Sequence, residues 1–197
     1  MRIIAGEARS RVIEAPKGRD TRPTLDRVRE NLFNILARRV PGARVLDLFA
    51  GSGALALEAL SRGAAHAVIA DTARAAIQAI ERNARSVLKE DFDARVRILR
   101  ADYRAAIDKA EGPFDLVFLD PPYRMVDAYG DALARLDAAG RLSPDCLIVM
   151  ERRRDAAVEL PDRFERRDTR HYGDTAVDFA GLKQTQTDGA QGPSILE

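Results

Sequence analysis

The chain has 197 residues, 46% hydrophobic and 32% charged, which suits one domain of normal size with a true core. No apolar stretch approaches the length of a membrane span, and Met1-Arg2-Ile3-Ile4-Ala5-Gly6 lacks the long apolar core of a secretory signal. The single cysteine, Cys146, excludes an internal disulfide, and together these features predict a cytoplasmic protein without a membrane partner.

The net charge of +1 hides an asymmetry. Residues 1–40 carry ten basic side chains (nine arginines and Lys17) against five acids. Such a segment is either a solvated face or a phosphate-binding one, because Arg presents a planar fork to phosphates. Residues 2–5 and 10–14 are short apolar-rich runs around Gly6-Glu7-Ala8-Arg9 and read as a small hairpin. Residues 16–23, broken by Pro16, Gly18 and Pro23, read as a loop. Thr24 is the expected N-cap of a helix, and Asp26 suits the dipole of its first turn. Leu25, Val28, Leu32 and Ile35 give that helix one apolar face, and Pro41-Gly42 ends it.

From residue 44 onward, strands and helices alternate. Strands are expected at 44–49, 66–71, 95–100, 114–120 and 145–150, and helices at 53–62, 73–88, 103–110 and 126–139. The strands are continuous apolar runs, as when both faces of a sheet are covered. The fold class is therefore α/β, a doubly wound, mostly parallel, Rossmann-like sheet. Residues 163–170 and 175–182 flank Tyr172-Gly173-Asp174 and predict an antiparallel hairpin that closes the sheet edge. After Lys183 the chain has little to bury, so residues 184–197 read as a disordered tail. The expected organisation is an N-terminal hairpin and helix, 1–42, packed on a main domain, 43–183.

Residues 45–54, Val-Leu-Asp-Leu-Phe-Ala-Gly-Ser-Gly-Ala, run a strand through a glycine turn into a helix. Gly51 and Gly53 permit close ligand approach, and the helix N-terminus favours an anionic group such as a carboxylate. The same residues fit the loose dinucleotide pattern, so NAD competes with S-adenosylmethionine here. Asp47 separates the two. A carboxylate at that strand end repels a pyrophosphate and suits an ammonium group, which S-adenosylmethionine carries. Asp71 ends the next strand, where it is placed to accept from ribose hydroxyls. Asp102 follows the strand after that, where it is placed to accept from an adenine amino group. Either acid alone reads equally as a helix cap or loop residue, but ligands bind at the carboxyl edge of such sheets. Phe49 and Ser52 complete the expected cofactor set.

Asp120-Pro121-Pro122-Tyr123 follows the apolar run Phe114–Leu119. Asp120 can accept from an amino N–H. The two prolines fix their φ angles and leave carbonyls free to accept. Tyr123 offers a flat ring to a base. The pattern predicts methylation of an exocyclic amino group, for which a sulfonium leaving group requires no metal. His66 and His171 stand isolated and make no metal site. Cys146 reads as a small core residue. Glu151-Arg152-Arg153-Arg154 reads either as an RNA contact or as a solvated loop with internal ion pairs.

Five segments together resemble the bacterial 16S ribosomal RNA guanine-N2 methyltransferases of the RsmD type. They are Met1–Gly6; Thr21-Arg22-Pro23-Thr24 with Arg27–Asn34; Asp47–Leu55 with Leu57–Ala64; Asp120–Tyr123; and Tyr172–Thr175. The resemblance implies a seven-stranded S-adenosylmethionine-dependent sheet with a reversed last strand. It also implies an N-terminal hairpin and helix that help hold RNA, with the assembled or assembling 30S subunit as partner. Asp120, Pro121 and Tyr123 are then the catalytic set, and Arg22, Arg27 and Arg29 the RNA contacts. Nothing in the residues requires more than a monomer. DNA adenine N6 or a protein glutamine amide remains the alternative acceptor.

Overall fold

The apolar runs become strands β1 (Arg44–Asp47), β2 (His66–Asp71), β3 (Val96–Arg100), β4 (Phe114–Leu119) and β5 (Leu142–Arg153). Two more follow, β6 (Phe164–Tyr172) and β7 (Thr175–Leu182). This computed structural model describes residues 1–16 and 23–184. The strands form one seven-stranded sheet in the order β3-β2-β1-β4-β5-β7-β6. The first five run parallel, while β7 is antiparallel to β5 and β6 to β7. The expected fold class, with its antiparallel C-terminal hairpin, is the one observed. The expected tail lies outside the described residues, apart from Gln184.

Side-chain alternation splits the core into two layers, one on each face of the sheet. Val45, Ile69, Leu116, Phe118 and Val149 pack on one face with residues of α1 (Pro23–Ile35), α2 (Ala54–Ser61) and α3 (Arg74–Leu88). Leu46, Val68, Val117, Leu119 and Ile148 pack on the other with α5 (Tyr103–Lys109) and α6 (Asp127–Ala138). Successive Cβ atoms of a strand point to opposite faces, so a run apolar at every position serves both layers. Cys146 is fully buried in the second layer.

The N-terminal pairing is slighter than a pair of strands. One antiparallel bridge joins Arg2 to Val12. Flanking bonds run from Ile3 N–H to the Arg11 carbonyl (2.9 Å) and from Ile13 N–H to the Met1 carbonyl (3.0 Å). Ile3 and Ile13 are buried, contributing about 1.5–3 kcal/mol each. The exposed Arg82–Glu14 ion pair (3.0 Å) contributes under about 1 kcal/mol, so apolar burial dominates this docking. Helix α2 supplies the polar anchors. The fully buried Glu58 accepts from Ile4 N–H (2.7 Å) and Ala5 N–H (3.0 Å). Ser61 Oγ accepts from Ala8 N–H (3.0 Å) and donates to the Ala5 carbonyl (2.7 Å). Gly6 has φ +85°, and a Cβ there would lie 1.8 Å from the Ser61 carbonyl oxygen. Only glycine fits that approach.

Several boundaries differ from expectation, among them β1, which ends at Asp47 rather than at 49. Helix α1 begins at Pro23, one residue before the predicted Thr24 cap, because proline is pre-set for the first helical position. Strand β5 spans Leu142–Arg153 rather than 145–150. Its polar ends are held by ladder bonds, Phe114 opposite Leu142 and Arg153 opposite Thr175, which hydropathy does not register. A short helix α4 (Phe92–Arg95) follows a 3₁₀ turn at Lys89–Asp91, where no element was expected.

Candidate active site

Strand order reverses between β1 and β4. At that switch point of an open α/β sheet, ligands bind beyond the carboxyl ends of the strands. A cavity of about 190 Å³ opens here, lined among others by Asp47, Phe49, Gly51, Ser52, Asp120 and Glu151. The loop after β1 and the loop after β4 therefore share one hollow.

Asp47 is the inner acid. It is 2% exposed, and its Oδ2 has no hydrogen-bond partner among the described residues. Burial lifts its carboxyl to about 7, against the pull of the Phe49 and Ala56 amides and with a smaller push from Asp71. A buried carboxylate oxygen without a partner is costly. A cationic group entering the cavity would relieve that cost. The donor set thus fits an ammonium-bearing ligand and opposes a pyrophosphate.

Beyond Asp47 the chain leaves the sheet. Ala50 N–H bonds the Ala70 carbonyl (3.0 Å), and Gly53 N–H bonds the Ala50 carbonyl (2.7 Å). Gly51 and Gly53 take φ +57° and +76°, the left-handed region that favours glycine. Asn83 of α3 braces this turn. Its Nδ2 donates to the carbonyls of Ser52 and Glu14 (2.9 Å each), and its Oδ1 accepts from Glu14 N–H (2.9 Å). A single Asn within a helical stretch carries no sequence signal for such a role. Phe49 packs against Tyr103 with ring centroids 5.4 Å apart.

The two outer acids already hold backbone. Asp71 accepts from Gly51 N–H (2.9 Å) through Oδ2 and from Ala73 N–H (2.8 Å) through Oδ1. It ties the glycine turn to the start of α3. Asp102 caps α5 by accepting from Ala105 N–H (2.9 Å). Carboxylate oxygens have further lone pairs, so both retain acceptor capacity for a ligand.

In the loop after β4, Asp120 is exposed and lines the cavity, Pro121 is buried, and Tyr123 is 57% exposed. A large aromatic ring left this open is available to stack. The turn is closed by Met125 N–H on the Pro122 carbonyl (2.7 Å). Behind it, the buried Tyr129 donates its hydroxyl to the Glu151 carbonyl. Burial, then the charges of Asp120 and Glu151, push that phenol up.

The Glu151–Arg154 stretch is no solvated loop over its first three residues, which extend β5. Arg152 bonds the fully buried Asp178 at 2.7 Å and 3.2 Å. Glu151 lines the cavity, and burial raises its carboxyl above the ordinary range. No local sequence signal marks its place in the cavity, because the pairing that sets β5 beside β4 joins segments far apart in the chain.

The three arginines expected on RNA part company. Arg22 lies outside the described residues. Arg27 is exposed on α1, as a phosphate contact requires. Arg29 is 5% exposed. Its guanidinium bonds Met1 Sδ (3.0 Å) and the Arg2 carbonyl, and its Nε lies 4.0 Å from Glu58 Oε2. The N-terminal segment covers this face of α1, so Arg29 faces the cavity wall instead of solvent.

Residues 1–181 match the family described as Conserved hypothetical protein 95. The chain is 39% identical over 151 residues to ribosomal RNA small subunit methyltransferase D of Escherichia coli K12, covering 77% of this chain and 74% of that protein. It is 32% identical over 169 residues to the protein of the same name from Haemophilus influenzae, covering 83% and 84%. The solved structure of yhhF from Escherichia coli superposes with a TM-score of 0.79 at 34% identity, covering 94% of this chain and 99% of that one.

Proposed function

We propose, on the premise that the chain belongs to this RsmD-type family of ribosomal RNA methyltransferases, that it methylates the exocyclic N2 of a guanine in 16S ribosomal RNA. S-adenosylmethionine-dependent methylation of ribosomal RNA is the activity of the family; the guanine and its N2 are supported by the chemistry of the site. One observation supports the reading: a single cavity is lined both by buried Asp47, whose Oδ2 has no hydrogen-bond partner among the described residues, and by Asp120, the first residue of the proline loop.

S-adenosylmethionine, when bound, supplies a methyl group on a positively charged sulfur, so the acceptor nitrogen gains a carbon and sheds a proton. Asp47 would pair with the ammonium of its methionine end. Gly51, Ser52 and Gly53 would run beside that end, and Asp71 and Asp102 would accept from ribose and adenine. Asp120 and the Pro121 carbonyl each accept one N–H of the guanine amino group. They hold its nitrogen in line and enrich its electron density. The Asp120 carboxylate then receives the proton that N2 sheds. Such positioning contributes up to about 7–11 kcal/mol in favourable cases. Tyr123 stacks on the base, which must be unpaired or flipped out to reach the loop. Arg22 and Arg27 contact phosphates. Arg29 braces the cavity wall.

The reaction belongs in the cytoplasm, on the assembled or assembling 30S subunit. The enzyme acts as a monomer, because one chain supplies every group named above. The test is incubation with labelled S-adenosylmethionine and undermethylated 30S subunits, naked 16S RNA, DNA or protein, followed by nucleoside digestion. N2-methylguanosine in the RNA is expected; label in N6-methyladenosine or in protein defeats the reading. Asp120→Ala should abolish transfer while S-adenosylmethionine still binds, and full turnover would remove Asp120 from its role.

A further inference from the structure

We propose that Glu151 reads the acceptor base by accepting the N1–H of guanine beside the amino group held at Asp120. The assignment rests on the guanine-N2 reading above. Parallel pairing sets Leu119 of β4 opposite Met150 of β5. The next residues are Asp120, the first of the loop after β4, and Glu151, still on β5, and neighbouring strands lie about 4.8 Å apart. Both residues line the same cavity. The backbone of Glu151 is fixed by the Tyr129 hydroxyl on its carbonyl and by pairing with Val177 of β7. Among the described residues, no hydrogen bond or ion pair engages its carboxylate, whereas neighbouring Arg152 is fully engaged with Asp178.

The chemistry selects the ligand. The Watson–Crick edge of guanine presents N1–H and the N2 amino group side by side, all donors. An ionised carboxylate only accepts. Two adjacent carboxylates therefore match that edge. Adenine places a bare lone pair at N1, which would face the Glu151 carboxylate and be repelled. 2-Aminopurine keeps the amino group at C2 but also has no proton at N1. It would keep its partners at Asp120 and lose the one at Glu151. Sites built around a hydrogen bond reject analogues that lack it.

The experiment uses RNA of the acceptor region with guanine or 2-aminopurine at the methylated position, mapped first by nucleoside digestion with the unaltered enzyme. That enzyme should prefer guanine by at least about 100-fold in kcat/KM, and Glu151→Gln should lose about 10- to 100-fold on guanine. The variant should also narrow the preference, because its amide can donate to the bare N1. Melting temperature and S-adenosylmethionine affinity, by calorimetry, should stay near those of the parent. An unchanged guanine-to-2-aminopurine ratio overturns the role of Glu151 while leaving the guanine reading intact. If Glu151→Gln is silent on both RNAs, Glu151→Asp decides: restored transfer to guanine alone supports the proposal, and renewed silence overturns it. Transfer by the unaltered enzyme to adenine or protein instead defeats the guanine reading itself.

Discussion

Asp47 and Asp178 are both buried aspartates on strands of one sheet, yet their surroundings drive them in opposite directions. Asp47 is lifted to about 7 by burial and has an oxygen without a partner. Burial pushes Asp178 up as well, but bonds from Arg152 and Thr169 and the charge of Arg166 hold it below the ordinary range. One acid is sealed into the seam where β7 joins β5; the other faces a hollow. A buried charge with its partners in place is structural. A buried charge without them marks where a ligand brings the missing half.

The contrast can be broken from either side. Asp178→Ala should have the largest effect, because it leaves the largely buried Arg152 (11% exposed side chain) without its acid. A loss of about 3–5 kcal/mol is expected by urea unfolding; a loss under about 1 kcal/mol would make the pair ornamental. The pH profile follows from the depressed carboxyl. Its contribution is present above the unfolded value near 4 and is lost as pH falls below it.

Asp47→Asn should instead spare or improve the ligand-free fold. The raised carboxyl contributes stability that is full below about pH 4 and is lost as pH climbs towards about 7. Unfolding at pH 5 and pH 8 should show that loss in the unaltered protein and a smaller one in the variant. S-adenosylmethionine affinity should fall about 10- to 100-fold, or roughly 1.4–2.7 kcal/mol. In the unaltered protein binding should tighten, with proton release, as pH rises towards 7. Equal affinities in variant and parent would mean that Asp47 waits for nothing.

Glu58 sharpens the comparison as a third buried acid, one engaged by two backbone amides and by Arg62 at 2.7 Å. Glu58→Gln keeps the shape but removes the charge. A cost of about 1–3 kcal/mol is expected, with faster amide exchange at Ile4 and Ala5. The smallest effect belongs to the exposed Arg27. Its replacement by Ala should leave stability within about 0.5 kcal/mol and reduce the salt slope of RNA binding by about one.

Much of the site was legible before folding was considered. The apolar runs are long enough to be strands. The glycines after Asp47 stand where the backbone turns left-handed, and Asp120–Tyr123 follows directly on β4. Each of those signals is local. Asp71 and Asp102 were also placed at the correct edge, although their bonds to Gly51 and Ala105 came from the structure. Arg29 shows the limit. Its neighbours in sequence suggest a solvated basic face, but residues 1–13 fold back over it, and that contact spans 27 positions at Arg2.

Composition, periodicity and short-range turn chemistry by themselves determined the α/β class, the order and approximate positions of the strands, the glycine turn and the acidic proline loop. Which acids are sealed, which face the cavity, and which strand ends lie together were decided only by tertiary structure. Glu151 and Asp120 line one cavity because β4 and β5 pair in parallel, and Asp178 meets Arg152 because β7 returns beside β5. Burial and pairing are set by segments far apart in the chain, so no local pattern carries them.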